Sequence, residues 1–239
     1  MIRVTLAKEP PEFDALVRQR GLRALSELVG DPSLPKRRGR PRKVLASSFQ
    51  EIPAKKLPEY WQGWCLDQLR TAYKNICAYL GMRIHESTGA ATVDHFLPKS
   101  QHQKSAYEWS NYRLATGDVN RAKGEAKVLD PFEIENGWFV LDIGDFMVKA
   151  ADWLSPDLKK QVEDSIRALG LNDSNNCLSR ARYHDEYRGI GPDFESGGLA
   201  PLPCWQLERE CPFVYGELRR QGLLRAGDLQ SGPGPGASS

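Results

Sequence analysis

An acid and an imidazole stand side by side at Asp94 and His95, in the stretch Thr-Val-Asp-His-Phe-Leu-Pro-Lys-Ser. Asn111 follows after a long loop, and Asn120 lies nine residues further on, inside a basic segment with Arg121 and Lys123. An acid, an imidazole and an amide gathered beside basic side chains suit metal-assisted cleavage of a phosphodiester bond. That chemistry requires elements that bring distant parts of the chain together. Val93 and Phe96 flank the Asp-His pair with apolar side chains, so the pair should end a short strand. Asn-Tyr-Arg-Leu-Ala-Thr alternates polar and apolar from 111 to 116 and suits a second, antiparallel strand. Asp118-Val-Asn-Arg-Ala-Lys-Gly reads as an N-capped short helix stopped at Gly124. Two strands and a helix would place Asp94, His95 and Asn120 in one small concavity.

The chain has 239 residues and a formal net charge of +2, enough length for one medium domain or two small ones with a real core. Its positive charge is unevenly placed, so the local basic runs say more than the sum. Five cysteines (Cys65, Cys77, Cys177, Cys204, Cys211) form no Cys-x-x-Cys pair. A disulfide framework or a cysteine-based zinc site is therefore not expected, and a reducing compartment fits. The N-terminal residues show no apolar core of signal-peptide length, and no apolar run is long enough for a membrane helix. The expectation is a cytoplasmic protein with no membrane partner.

In order along the chain, residues 11–29 read as an amphipathic helix, broken or kinked at Gly21, with Phe13, Leu16, Val17, Leu25 and Leu28 at helical spacing. Residues 31–53 are rich in proline, glycine and basic side chains and read as a linker. Residues 55–82 read as a long helix whose stripe of Trp61, Trp64, Cys65, Leu69, Ala72, Tyr73, Ile76 and Leu80 faces the core. Asn136-Gly137 between two alternating runs predicts a hairpin. Ser155-Pro156 opens a helix that Gly170 closes. Further helices are predicted at about 173–187 and at 208–223, and the glycine- and proline-rich tail from Ser231 should be disordered. The resulting division is an N-terminal helix over 1–30, a basic linker over 31–54, a core over 55–150, a helical region over 151–225 and a tail over 226–239.

Within the linker, Lys36, Arg37, Arg38, Gly39, Arg40, Pro41, Arg42 and Lys43 resemble an AT-hook, the short DNA-binding element built on Arg-Gly-Arg-Pro. Glycine and proline keep such a segment narrow, so that its arginines can enter the minor groove of A·T-rich DNA. The remaining basic side chains can meet phosphates. A solvated basic linker is the plainer reading of the same residues.

The central segment resembles the HNH, or ββα-metal, endonucleases, in the subclass whose third signature residue is asparagine. Asp94-His95, Asn111 and Asn120-Arg-Ala-Lys-Gly124 carry the resemblance over about 35 residues. It implies an α+β fold, with a small ββα-metal core embedded in a mainly helical domain. It further implies that Asp94 and Asn120 ligate one divalent cation, Mg²⁺ or Mn²⁺, that His95 is the general base, and that Asn111 braces the loop beside His95. Lys99 and Lys123 are then candidates to meet substrate phosphates, against the plainer reading of solvated lysines. The wider layout, with an early aromatic helix, Tyr107-x-Trp109-x-Asn111 and Asp130-Pro-Phe, is similar to the HNH proteins of Septu-type antiphage systems, in which the nuclease is paired with an ATPase. Many HNH proteins carry two Cys-x-x-Cys pairs around a structural zinc. Here the positions near Thr116 and Val119 lack cysteine, so no structural zinc is expected and packing by Tyr107, Trp109, the 136–137 hairpin and the Trp61 helix must hold the fold. His85, His102 and His184 are read as structural. Two other functions compete with a DNA endonuclease: a non-catalytic DNA-binding module, and an HNH nuclease acting on RNA.

Overall fold

The computed structural model describes residues 1–35, 42–87 and 89–228. The chain is α+β, with helices and two small antiparallel sheets. It divides into two compact units that alternate along the sequence: Leu6–Asn75 with Ala91–Ala115, and Met1–Thr5 with Ile76–Ala90 and everything from Thr116 onward. The segment 55–150, expected to be one core, is thus shared between the two. Among the described residues no helix is long and apolar enough to cross a membrane.

The first of these units is built on α1 (Gln19–Leu28), which continues a wider π turn at Asp14–Arg18. Phe13, Val17, Gly21, Ala24, Leu25 and Leu28 recur at helical spacing and are all buried. The expected break at Gly21 does not occur. Glycine is there for close approach: a Cβ would lie 2.1 Å from Cγ of the Tyr107 ring and 2.2 Å from its Cδ1. An exposed helical glycine changed to alanine gains roughly 1 kcal/mol from backbone propensity. Here the overlap outweighs that gain, since overpacking a closed core costs about 1–3 kcal/mol. Gly21→Ala is therefore expected to destabilise, seen as a lower urea midpoint at unchanged slope.

One reading of the next segment is corrected. The predicted helix over 55–82 shrinks to α2 (Trp64–Ala72). Gly63 at φ +60 lies immediately before it, and Lys74 and Asn75, both left-handed at φ 50 and 58, end it. Trp61 and Tyr73 consequently lie outside the helix, although Trp61 is still fully buried. The aromatic core packs edge to face, with Phe13 at 5.6 Å from Trp109 and 5.8 Å from Tyr112. Trp109 Nε1 donates to the Ala7 carbonyl at 2.8 Å. Arg18 ties the entry of α1 to Glu108 at 2.9 Å and to Glu9 and Asp14. β1 (Ala91–His95) pairs with β2 (Tyr112–Thr116), as predicted.

Burial holds the phenols of Tyr107 and Tyr112 well above the ordinary value of 10, and the Cys65 thiol is pushed up to about 12 for the same reason. Each phenol is harder to ionise folded than unfolded, so the unfolded chain releases its protons first as pH passes 10. This contribution to stability is intact below pH 10 and lost above it. Denaturation midpoints measured from pH 8 to 11 should fall beyond pH 10, with phenolate absorbance from these two rings appearing together with unfolding.

The other unit contains α3 (Gly117–Lys123), β3 (Phe139–Leu141), β4 (Val148–Ala150), α4 (Pro156–Ala168), α5 (Ser174–Arg188), α6 (Pro192–Glu195), α7 (Cys204–Glu210) and α8 (Pro212–Arg220). The Ser155 cap, the stop at Gly170 (φ 58) and the helix near 173–187 are as predicted. The hairpin at Asn136-Gly137 is not. The Asp130 side chain accepts from Phe132 N–H, and its carbonyl accepts from Glu133 and Ile134, which curls 131–133 into a turn instead of a strand. The hairpin forms one step later, where Phe139 faces Ala150 and Leu141 faces Val148. Asn172 caps the open edge of β4, accepting from Val148 N–H at 2.7 Å and donating to its carbonyl at 2.9 Å. The predicted last helix is two helices. Cys211 takes φ −143, ψ 69 and Pro212 opens α8, since proline cannot donate within α7. The tail from Ser231 and the segment 36–41 lie outside the described residues.

Candidate active site

β1 delivers Val93, Asp94 and His95 to the interior, with Asp94 2% and His95 8% exposed. Phe96 N–H donates to the Asn111 carbonyl at 2.9 Å and closes the loop between β1 and β2 at its base. The Asn111 side chain then holds the loop from within. Its Oδ1 accepts from Leu97 N–H at 2.7 Å, and its Nδ2 donates to the carbonyls of Leu97 at 3.2 Å and Ser105 at 2.9 Å. An amide serves here because it offers an acceptor and two donors on one planar group. Gln103 adds a second brace, donating to the carbonyls of Ser100 at 2.9 Å and Gln50 at 3.0 Å.

The loop sets the His95 ring through a main-chain atom. Nε2 lies 3.1 Å from the Ala106 carbonyl oxygen. A carbonyl only accepts, so Nε2 carries the proton of the neutral ring and Nδ1 is its basic nitrogen. The Tyr112 hydroxyl donates to the same carbonyl at 2.8 Å. Trp61 and Tyr112 meet the imidazole nearly perpendicular, with centroids at 4.6 and 5.2 Å. The Lys99 ammonium lies 4.8 Å from the centre of the Trp61 ring, a cation–π contact that gives its long stem a fixed course. Arg113, buried, donates to the carbonyls of Ser110 and Tyr112 and stacks on Phe96 at 4.9 Å.

Asn120 is on α3, which leaves β2 without an intervening residue and belongs to the other compact unit. Its helix is capped by Thr116, whose side chain accepts from Val119 N–H at 3.4 Å, and not by Asp118 as the sequence suggested; Gly124 at φ 50 stops it. Lys123 departs from its expected role. Four residues after Val119, it shares that residue's inward face and is 1% exposed, so it is not presented to a substrate phosphate from the surface.

Of the AT-hook-like residues, Lys36, Arg37, Arg38, Gly39, Arg40 and Pro41 lie outside the described residues. Arg42 was expected to be available to phosphates. Its Nε instead pairs with Glu27 at 2.9 Å and its Nη2 donates to Tyr60 at 3.1 Å, which fastens this end of the linker to α1. Lys43 is exposed.

Thus His95, the last residue of β1, and Asn111, just before β2, flank one braced loop, with Asp94 next to His95 on the strand. The sequence did not single out Ala106, because its role is carried by a carbonyl every residue possesses. Trp61 was read as part of a core stripe and Tyr112 only as a residue of the second strand, and their aromatic type was the one available signal. Among the described residues no three side chains of His, Cys, Asp and Glu gather to hold a metal ion. A carboxylate such as that of Asp94 and an amide oxygen such as that of Asn120 are hard donors, of the kind that suits Mg²⁺ or Mn²⁺ and not a thiophilic metal. No protein-family model matches this chain, and no curated protein matches it either.

Proposed function

We propose that the protein is a metal-dependent endonuclease of the HNH, ββα-metal type that hydrolyses phosphodiester bonds in DNA. The observation that carries this reading is the setting of His95: an imidazole at a strand end whose Nε2 donates to the Ala106 carbonyl, which makes Nδ1 the basic nitrogen of the ring. A histidine so fixed is suited to take a proton from an attacking water near neutral pH. Asp94 and Asn120 would hold one Mg²⁺ or Mn²⁺, which when bound stabilises negative charge on the phosphoryl group and the leaving oxygen. Asn111 keeps the loop, and through it the Ala106 carbonyl, in register with His95. Lys99, fixed over Trp61, is the lysine we assign to the substrate backbone. A single site of this kind cuts one strand, so nicking is the basic activity.

The setting we propose is cytoplasmic defence against foreign DNA together with an ATPase partner, a reading that rests on the layout shared with Septu-type nucleases. The test is conversion of supercoiled plasmid to open circles across Mg²⁺, Mn²⁺ and chelator, with and without a candidate ATPase, alongside single-stranded RNA. Metal-dependent nicking that chelator abolishes supports the proposal. Cleavage of RNA with DNA spared would replace the substrate. No cleavage under any metal, with duplex DNA still bound, would make the chain a binding module.

A further inference from the structure

We infer that Tyr112 and Trp61 are positioning residues for His95: they fix which of its nitrogens is the base and hold the ring against rotation. The inference rests on the nuclease reading only for its catalytic consequence. A carbonyl oxygen has two lone pairs, and that of Ala106 gives one to His95 Nε2 at 3.1 Å and the other to the Tyr112 hydroxyl at 2.8 Å. The buried hydroxyl thereby anchors the carbonyl oxygen in the position that the imidazole Nε2 uses. Tyr112 is fully buried, and burial keeps its phenol protonated well above its ordinary range, so the hydroxyl remains a donor wherever the enzyme is folded.

The rings act alongside the hydrogen bonds. Trp61 and Tyr112 stand at 85° and 84° to the imidazole, and both are buried to within 1% of complete enclosure. A half-turn of the His95 ring would carry its Nε2 and Nδ1 edges past two side chains that cannot move aside. Trp61 is itself wedged, with Tyr107 at 5.6 Å and the Lys99 ammonium over its face. Tyr107 in turn donates to the Pro58 carbonyl at 3.2 Å. One aromatic wall therefore governs both the direction of the base and the course of Lys99.

The experiment is ¹⁵N NMR of the histidine rings in the full chain, wild type against Tyr112→Phe and Trp61→Phe, with nicking rates and their pH profile measured on the same samples. Wild type should show His95 in the Nε2–H form. Tyr112→Phe keeps the ring but releases the carbonyl that the hydroxyl anchors, so the Nδ1–H form should become visible, and the turnover number should fall about tenfold at unchanged KM, a loss of the size one hydrogen bond can account for. Trp61→Phe should broaden the His95 resonances through ring motion and weaken DNA binding through Lys99. If Tyr112→Phe leaves the ¹⁵N shifts at their wild-type values, the inference is overturned, whatever the activity. If the tautomer responds as expected while wild type cleaves no nucleic acid, the positioning role stands and the nuclease reading is the part that fails.

Discussion

His95→Ala should lower metal-dependent nicking by about 10²–10⁴, the usual contribution of a general base, while binding of duplex DNA stays within a few-fold of wild type. Binding should persist because the phosphate contacts we propose come from cationic side chains such as Lys99, which the substitution leaves in place. The ring it removes fills space between Trp61 and Tyr112, so some stability is lost with it. His95→Gln separates the two effects: it fills most of that space and can still donate to the Ala106 carbonyl, yet it has no basic nitrogen. Single-turnover rates beside equilibrium binding on the same duplex measure both consequences, and His95→Gln should be nearly as inactive as His95→Ala.

Asn111→Ala is expected to act on stability and activity together. It removes the partners of Leu97 N–H, the Leu97 carbonyl and the Ser105 carbonyl at once. With each bond worth about 1 kcal/mol and buried groups left unsatisfied, the loss should be roughly 2–4 kcal/mol. The Ala106 carbonyl sits on the loop so released, and nicking should fall at least tenfold as His95 loses its reference. Asn111→Asp is the sharper probe. It preserves the acceptor for Leu97 N–H but turns an oxygen toward two carbonyls, so it should be no better than alanine in either urea denaturation or cleavage.

The parts of the fold legible in the sequence were those set by local chemistry. β1 and β2 follow from apolar alternation around Asp94 and Leu114, α3 from the stop at Gly124, and α4 from Ser155-Pro156. Helical periodicity over 55–82 misled because the apolar residues at its two ends are buried from turns: Gly63 precedes the helix, and left-handed Lys74 and Asn75 end it with no proline or glycine at that point. Asn136-Gly137 carried a hairpin signal, but the Asp130 side chain had already taken the preceding residues into a turn, and the Asn136 carboxamide is engaged by Arg3 N–H. The last helix was read through Pro212, which a stricter use of proline would have divided. The alternation of the chain between two units depends on long-range pairing, such as β1 with β2, and leaves no local mark.

The candidate site was legible to the extent that side chains carry it. The Asn111 amide hydrogen-bonds the main chain of Leu97 and Ser105, which an acceptor and two donors on one planar group allow. Lys123 does not take up a surface position, since seven residues of helix gave too short a pattern to show which face turns inward. Arg42 is drawn away from a phosphate-binding role by Glu27, fifteen residues earlier and on another element. What places the imidazole is a main-chain oxygen on a loop, and only folding reveals it.

The most direct measurement is Mn²⁺ binding followed by electron paramagnetic resonance on the wild-type chain and on Asp94→Asn. A single bound ion per chain in wild type, competed by Mg²⁺ and weakened at least tenfold when the carboxylate becomes an amide, is the predicted result. No bound ion in wild type, or binding that Asp94→Asn leaves untouched, would contradict the assignment of this strand end as the metal-bearing side of a nuclease.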